Sequence, residues 1–193
     1  MSTFNGEIAE IQSISVDHFE NKNQKCYFLS HCHTDHMRGL ATLDGNAPIY
    51  VSLLSALFIE RQHPRLKHRL KILEVGITVL VELNEDESGS AANFTVTTLP
   101  AGHCVGSVML LFQNDQHDIL YTGDFRMSAD NVTKVKAFNE LRSKDNVVIY
   151  LDSTFMNPSF PKFPTQSESV NEIVEIVKNF LKVAHNRKGM CAF

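Results

Sequence analysis

Short apolar runs broken by polar, turn-forming stretches dominate the first 155 residues of the chain. Lys25-Cys26-Tyr27-Phe28-Leu29 is apolar over nearly its whole length and predicts a buried strand. Pro48-Ile49-Tyr50-Val51 predicts another, feeding a helix over Leu53 to Arg61. Ile77 to Leu83 and Phe94 to Leu99 are β-branched and aliphatic, as strands are, and Ser107 to Phe112, Asp118 to Thr122 and Val147 to Asp152 complete the set. Between two of these, the acidic, glycine-bearing Asn84 to Ser90 reads as a solvated connection. The pattern changes late. Val170, Ile173, Val174, Val177 and Leu181 recur at helical spacing, and Thr165 with Glu168 and Ser169 with Glu172 each fit a capping box. That helix has an apolar stripe that needs a sheet to cover it. Met190 to Phe193 looks like the start of a further strand.

Composition narrows the picture. At 193 residues and 43% hydrophobic, the chain can bury one sizeable core. A net charge of −4 and a pI near 6.1 argue against a generic basic nucleic-acid binder, although metals and local lysines can still handle phosphate. No apolar run approaches membrane-span length, and the first residues lack a basic region followed by a hydrophobic one. Cys26, Cys32, Cys104 and Cys191 form no C-x-x-C pair and no disulfide framework, which predicts a reducing compartment, cytosol or nucleus.

The chemistry concentrates in Ser30-His31-Cys32-His33-Thr34-Asp35-His36. Three imidazoles and a carboxylate in that span suit a borderline divalent ion such as zinc. Just past a strand end, an extended His-x-His pair aims both rings to one side, because alternate side chains leave on the same face. A chain then turning at Met37-Arg38-Gly39-Leu40 can bring Asp35 and His36 round to a second ion. Three further elements end on chemistry: Leu99-Pro100-Ala101-Gly102-His103, Leu120-Tyr121-Thr122-Gly123-Asp124 and Val148-Ile149-Tyr150-Leu151-Asp152. Each alone is weak, since an aspartate after a strand is commonly a turn former. Following the histidine run in this order, they predict a metal site assembled at one sheet edge. Cys32 and Cys104 flank ligands but are expected to point the opposite way and pack. Arg61 to Lys71 holds five of the 18 Lys and Arg residues, and is expected to be a solvated helix face in preference to a phosphate contact.

Asp17, the His31-x-His33-x-Asp35-His36 run, His103 and Asp124 resemble, in order, the first four motifs of the metallo-β-lactamase superfamily. Leu99 to Ser107, Tyr121 to Phe125 and Tyr150 to Phe155, with the opening Ile14 to Phe19, are similar to the β-CASP branch, and within it to the DNA cross-link repair nucleases. The resemblance runs from Met1 to about Leu181 and implies an α/β fold, the αββα sandwich of that superfamily, present as its N-terminal portion over residues 1–185, with 186–193 a truncated end. It implies that His31, His33 and His103 hold a first zinc, that Asp35 and His36 hold a second, and that Asp124 reaches both. Asp17 is then a carboxylate supporting the His-x-His loop, and Asp152 is the acidic residue peculiar to the β-CASP branch. The implied catalytic set is Asp17, Asp35, Asp124 and Asp152.

The activity implied is zinc-dependent hydrolysis of phosphodiester bonds at DNA ends or hairpins, both 5′–3′ exonucleolytic and structure-specific endonucleolytic. The setting implied is the nucleus, in end joining and cross-link repair, with DNA, a repair kinase and end-joining proteins as partners and no membrane. The β-CASP layout continues with a cap domain and later histidines, whereas after Asp152 this chain has only His185. One zinc site is therefore expected to be nearly complete and the second to lack a ligand, so that these residues alone are expected to bind zinc weakly and cut poorly. The alternatives are an RNA-processing β-CASP endonuclease, a small-molecule metallo-hydrolase and an inactive metal-binding module.

Overall fold

The computed structural model describes residues 3–83, 93–160 and 164–187, with side chains as far as 182. The acidic connection from Asn84 to Ser90 and the strand-like Met190 to Phe193 lie outside the described residues. Two compact units are present, Met1–Asp152 and Ser153–Phe193.

In the first unit, β1 (Ile14–Val16), β2 (Cys26–Leu29), β3 (Ile49–Ser52) and β4 (Leu70–Leu73) form a parallel sheet in that order. All four β2 residues are buried, as a strand covered on both faces requires. Alternation divides them. Cys26 and Phe28 face a second sheet, while Tyr27 and Leu29 face a helical layer made of α1 (Leu53–Gln62) and the 3-10 turns Leu40–Thr42 and Pro64–Arg69. Ser52 caps α1 by accepting the Ser55 N–H at 3.2 Å.

The second sheet is β5 (Thr78–Val81), β6 (Phe94–Pro100), β7 (Val108–Gln113), β8 (Asp118–Tyr121) and β9 (Val147–Tyr150), antiparallel except for the last pair. Val108, Leu110 and Phe112 face inward against Val16, Phe28 and Phe94, with the Phe28 and Phe112 rings edge-on at 5.0 Å. Met109 and Leu111 face outward against Leu141, Val135 and Phe138 of a thin layer formed by α2 (Ala129–Lys134) and α3 (Lys136–Leu141). The order of layers is thus helix, sheet, sheet, helix, the expected αββα arrangement.

The basic stretch is the solvated face expected of it only in part: Arg61, Lys67 and Lys71 are exposed, but two arginines turn to the backbone. Arg65 donates to the carbonyls of Leu43 at 3.0 Å and Ala41 at 2.6 Å. Buried Arg69 donates to Ala47 O at 2.8 Å, and Leu70 to Leu73 is a strand. These two guanidiniums hold the loop from Ala41 to Ala47, and a planar multi-donor head suits that task.

In the second unit, α4 (Gln166–Arg187) is capped at the first of the two expected boxes. Thr165 Oγ1 accepts the Glu168 N–H at 3.1 Å, and Glu168 Oε2 accepts the Thr165 N–H at 2.6 Å. Val170, Ile173, Ile176 and Phe180 on this helix are exposed.

Candidate metal centre

The strand ends build the site. In the parallel sheet, β1 and β2 finish side by side, so Asp17 and Ser30-His31 emerge at one edge. In the other sheet β6, β8 and β9 run the same way, because β7 is antiparallel to both of its neighbours and β9 is parallel to β8. His103, Asp124 and Asp152 therefore follow strands ending at a common edge. A hydrogen bond from Val108 N to Ser30 O, 3.0 Å, ties the two sheets there.

Three ring nitrogens meet at this edge. His33 Nδ1 lies 3.0 Å from His31 Nε2 and 3.1 Å from His103 Nε2. Two nitrogens bound at about 2.0–2.1 Å to one tetrahedral ion stand roughly 3.3 Å apart, so the spacing fits a shared zinc-sized cation. Asp124 Oδ2 is 3.4 Å from His103 Nε2 and 3.8 Å from His31 Nε2, while its Oδ1 is 3.2 Å from His36 Nε2. One carboxylate thus turns one oxygen to the three-histidine group and the other to His36. Asp35, half-buried, acts electrostatically on His36.

Asp17 sets the orientation of these rings. Its backbone is left-handed, with φ of 53°, which aspartate tolerates better than most residues. That turn tucks the buried carboxylate beneath the histidine loop. Oδ1 accepts Ser30 N–H at 2.7 Å, and Oδ2 accepts Ser30 Oγ at 2.5 Å, His36 Nδ1 at 2.8 Å and Tyr121 OH at 2.9 Å. Ser30 Oγ, having given its proton to Asp17, must accept from His31 Nδ1, 2.9 Å away. Both His31 and His36 are thereby fixed as the Nδ1–H tautomer, leaving each Nε2 lone pair directed at the centre.

Burial depresses His31 to about 4, reinforced by the neighbouring His36, so it stays neutral and able to donate its lone pair at neutral pH. His36 responds oppositely. Burial alone would lower it, but the hydrogen bond and charge of Asp17, with Asp124 and Asp35, raise it above its ordinary value. The Tyr121 hydroxyl is pushed well up by burial beside Asp17, and so remains a donor.

The structure thus brings together His31, His33, His36, His103, Asp124 and, beneath them, Asp17. Asp152 sits at the same edge, its N–H donating to Thr122 Oγ1 at 3.0 Å. Three contributors carried no role in the sequence reading. Ser30 relays Asp17 to His31, and its signal was a serine between an apolar strand and the first histidine. Tyr121 ends β8 directly below the aspartate turn. Gly123, with φ of 50°, is needed because a Cβ there would lie 2.7 Å from Ser30 Oγ.

Expected packing for the two flanking cysteines holds for only one. Cys32 Sγ faces Ser55 O of α1 at 3.7 Å. The Cys104 sulfur instead lies with one ring nitrogen each of His31, His33 and His103, all within 4.8 Å of one another. Alternation governs an extended run such as 31–33, but 103–107 is a turn closed by Ser107 Oγ, and a turn does not alternate.

A four-layer αββα sandwich thus carries at its edge a cluster of imidazoles able to hold a metal ion, with one carboxylate shared between its two sides. The sequence profile described as "Beta-lactamase superfamily domain" matches residues 22–180, and the chain belongs to that superfamily. The protein named "Protein artemis" from Homo sapiens is 36% identical over 94% of this chain. "5' exonuclease Apollo" from Mus musculus is 35% identical over 95% of it. The chain spans 28% of the first relative's length and 33% of the second's. Among solved structures, a protein of unknown function from Enterococcus faecalis V583 shares the fold at 19% identity and a TM-score of 0.54, covering 81% of this chain and 40% of that one. No described helix is long and apolar enough to cross a membrane.

Proposed function

We propose that this chain carries the metal-binding part of a zinc-dependent nuclease centre that hydrolyses phosphodiester bonds at DNA ends or hairpins in the nucleus, during end joining and cross-link repair. The observation that carries this is the divided reach of Asp124, with one oxygen on the His31–His33–His103 group and the other on His36. Two adjacent donor groups sharing one carboxylate are what paired divalent ions require, and phosphate ester hydrolysis is the chemistry such pairs serve. The names of the relatives, one of them a 5′ exonuclease, support a nuclease.

His31, His33, His103 and Asp124 would hold the first ion, and Asp35, His36 and Asp124 the second. Bound there, zinc supplies the Lewis acidity that makes water nucleophilic near neutral pH and offsets charge on the phosphate. The chain's own residues do the positioning. Ser30 and Asp17 hold His31 and His36 in the donating tautomer, and Tyr121 fixes the carboxylate that does so. The lysine and arginine stretch contributes less than its composition suggests, because Arg65 and Arg69 are spent on backbone carbonyls. A kinase partner and end-joining proteins belong to the same proposal by resemblance alone.

The test uses a protein containing these residues in its longest natural form, loaded with zinc and assayed on single-stranded and hairpin DNA. Asp35→Ala and Asp124→Ala are each expected to reduce cleavage to background while leaving the circular dichroism spectrum intact. Cleavage by either variant near the wild-type rate would overturn the two-ion proposal, and cleavage of RNA in preference to DNA would redirect the substrate assignment.

A further inference from the structure

We propose that an apolar groove beside the metal centre receives one unstacked nucleobase of the strand being cut, so that the site selects opened or distorted DNA by its structure and not by its sequence. The inference rests on the nuclease reading above and adds the place where the base next to the scissile phosphate goes.

The groove has a volume of about 450 Å³, a size common among small-molecule sites. One wall is the first turn of α1, with Leu53 and Leu54, and the other is the turn from Gly102 to Ser107 that carries His103. Ser52 Oγ donates to Gly106 O at 2.7 Å and ties the walls together. Gly106, left-handed with φ of 85°, lets them approach, because a Cβ there would lie 3.1 Å from Leu54 Cβ. The groove is therefore built before anything enters it. Ala101 beneath is fully buried, yet Leu53, Leu54 and Val75 stand exposed along it.

Charge and hydrogen bonding decide the occupant. Glu74 is the one carboxylate lining the groove, and none of the described residues lining it is lysine, arginine or histidine, so it repels phosphate and admits an uncharged group. The two serine hydroxyls at its walls are spent on the protein, Ser52 on Gly106 O and Ser107 on Cys104 O at 2.8 Å, and neither reads the edge of a base. Apolar surface for a flat face remains. The groove is continuous with the metal centre through the turn itself: the His103 ring reaches His33 Nδ1 at 3.1 Å, while Gly102 and Gly106 on either side line the groove. A strand whose phosphate lies at the ions thus passes the mouth of the groove with the neighbouring base. Val105 stands on the same turn, 71% exposed, where an apolar side chain can wedge between two base steps and unstack them.

The test uses the zinc-loaded protein in its longest natural form and hairpin DNA carrying 2-aminopurine at each position flanking the cut in turn. In stopped flow with the unmutated protein, one position should brighten before product appears, since a base leaving the stack for an aliphatic groove is no longer quenched. Leu53→Glu and Val75→Glu, each at an exposed position, put a second carboxylate in the groove. Both are expected to keep their zinc and to lose about tenfold in kcat/KM on hairpin DNA. An abasic residue at the brightening position should bring the wild type down to the rate of the variants, because no base is left to seat. Brightening at no flanking position, wild-type cleavage by both variants, or the same tenfold gap persisting on abasic DNA would overturn the base-binding groove while leaving the nuclease standing. Failure of the wild-type protein to cut any DNA would overturn the nuclease reading itself, and the groove with it.

Discussion

Asp17 governs more of this molecule's chemistry than its distance from the reacting edge suggests. Four donors converge on one carboxylate, and two of them lead to imidazoles whose tautomers it sets. Asp17→Asn would replace an acceptor by a half-donor facing Ser30, His36 and Tyr121, and zinc affinity is expected to fall about 10–100-fold, as losses behind a ligand do. Competition titration with a chromogenic chelator measures this, and an unchanged affinity would remove Asp17 from the account. The same carboxylate separates two histidines that a sequence treats alike. In the metal-free protein, acidification should protonate His36 at a pH above its ordinary 6.5, whereas His31 should resist until about 4. Two-dimensional NMR of the imidazoles reads both steps. Simultaneous titration of the two rings would contradict the opposed environments described for them.

Among the elements, β2, β3 and α1 were legible because their apolar runs are complete, as in Cys26–Leu29, and because Ser52 begins a helix where the run ends. β4 was hidden. Leu70–Leu73 follows a run of cationic residues and lies at a sheet edge with Lys71 and Ile72 both exposed and Leu73 alone fully buried, so charge masked the strand. The helices α2 and α3 are six residues each, too short for a 3.6-residue period to declare itself. The gathering of the candidate ligands was legible, since each follows a recognisable strand, but the direction of Cys104 depended on a turn whose geometry no spacing conveys. The turn after β8 is similarly specific. Gly123→Ala forces a side chain into a left-handed position and against Ser30, and is expected to destabilise the protein by about 1–3 kcal/mol and to weaken zinc binding with it. Chemical denaturation with and without zinc checks both effects. Wild-type stability and affinity in that variant would show that Ser30 has room to move.

For the whole molecule, the order of layers came with the family resemblance and not from the spacing of strands, and the pairing of β8 with β9 in parallel was not legible either, because β-strand direction leaves no mark on composition. Binding to the folded state alone must raise stability, and zinc at a free concentration 100 times its dissociation constant contributes about 2.7 kcal/mol. A chain of 193 residues should then melt roughly 5–10 °C higher with zinc than with a chelator. Differential scanning calorimetry decides this, and identical transitions under the two conditions would mean that no ion is held by the native fold.

The position of the cluster astride two sheets has a kinetic consequence. His31 and His36 follow β2, while His103 and Asp124 follow β6 and β8, and the Val108–Ser30 hydrogen bond joins the halves. Fraying of one loop would surrender only some of the donors, and the remainder would retain a bound ion until the loop returns. Full escape would wait for the sandwich edge to part, so the residence time of a bound ion is expected to be a clock for that opening. Extraction by a chelator should accordingly reach a ceiling rate set by the protein's own breathing, beyond which more chelator removes nothing faster.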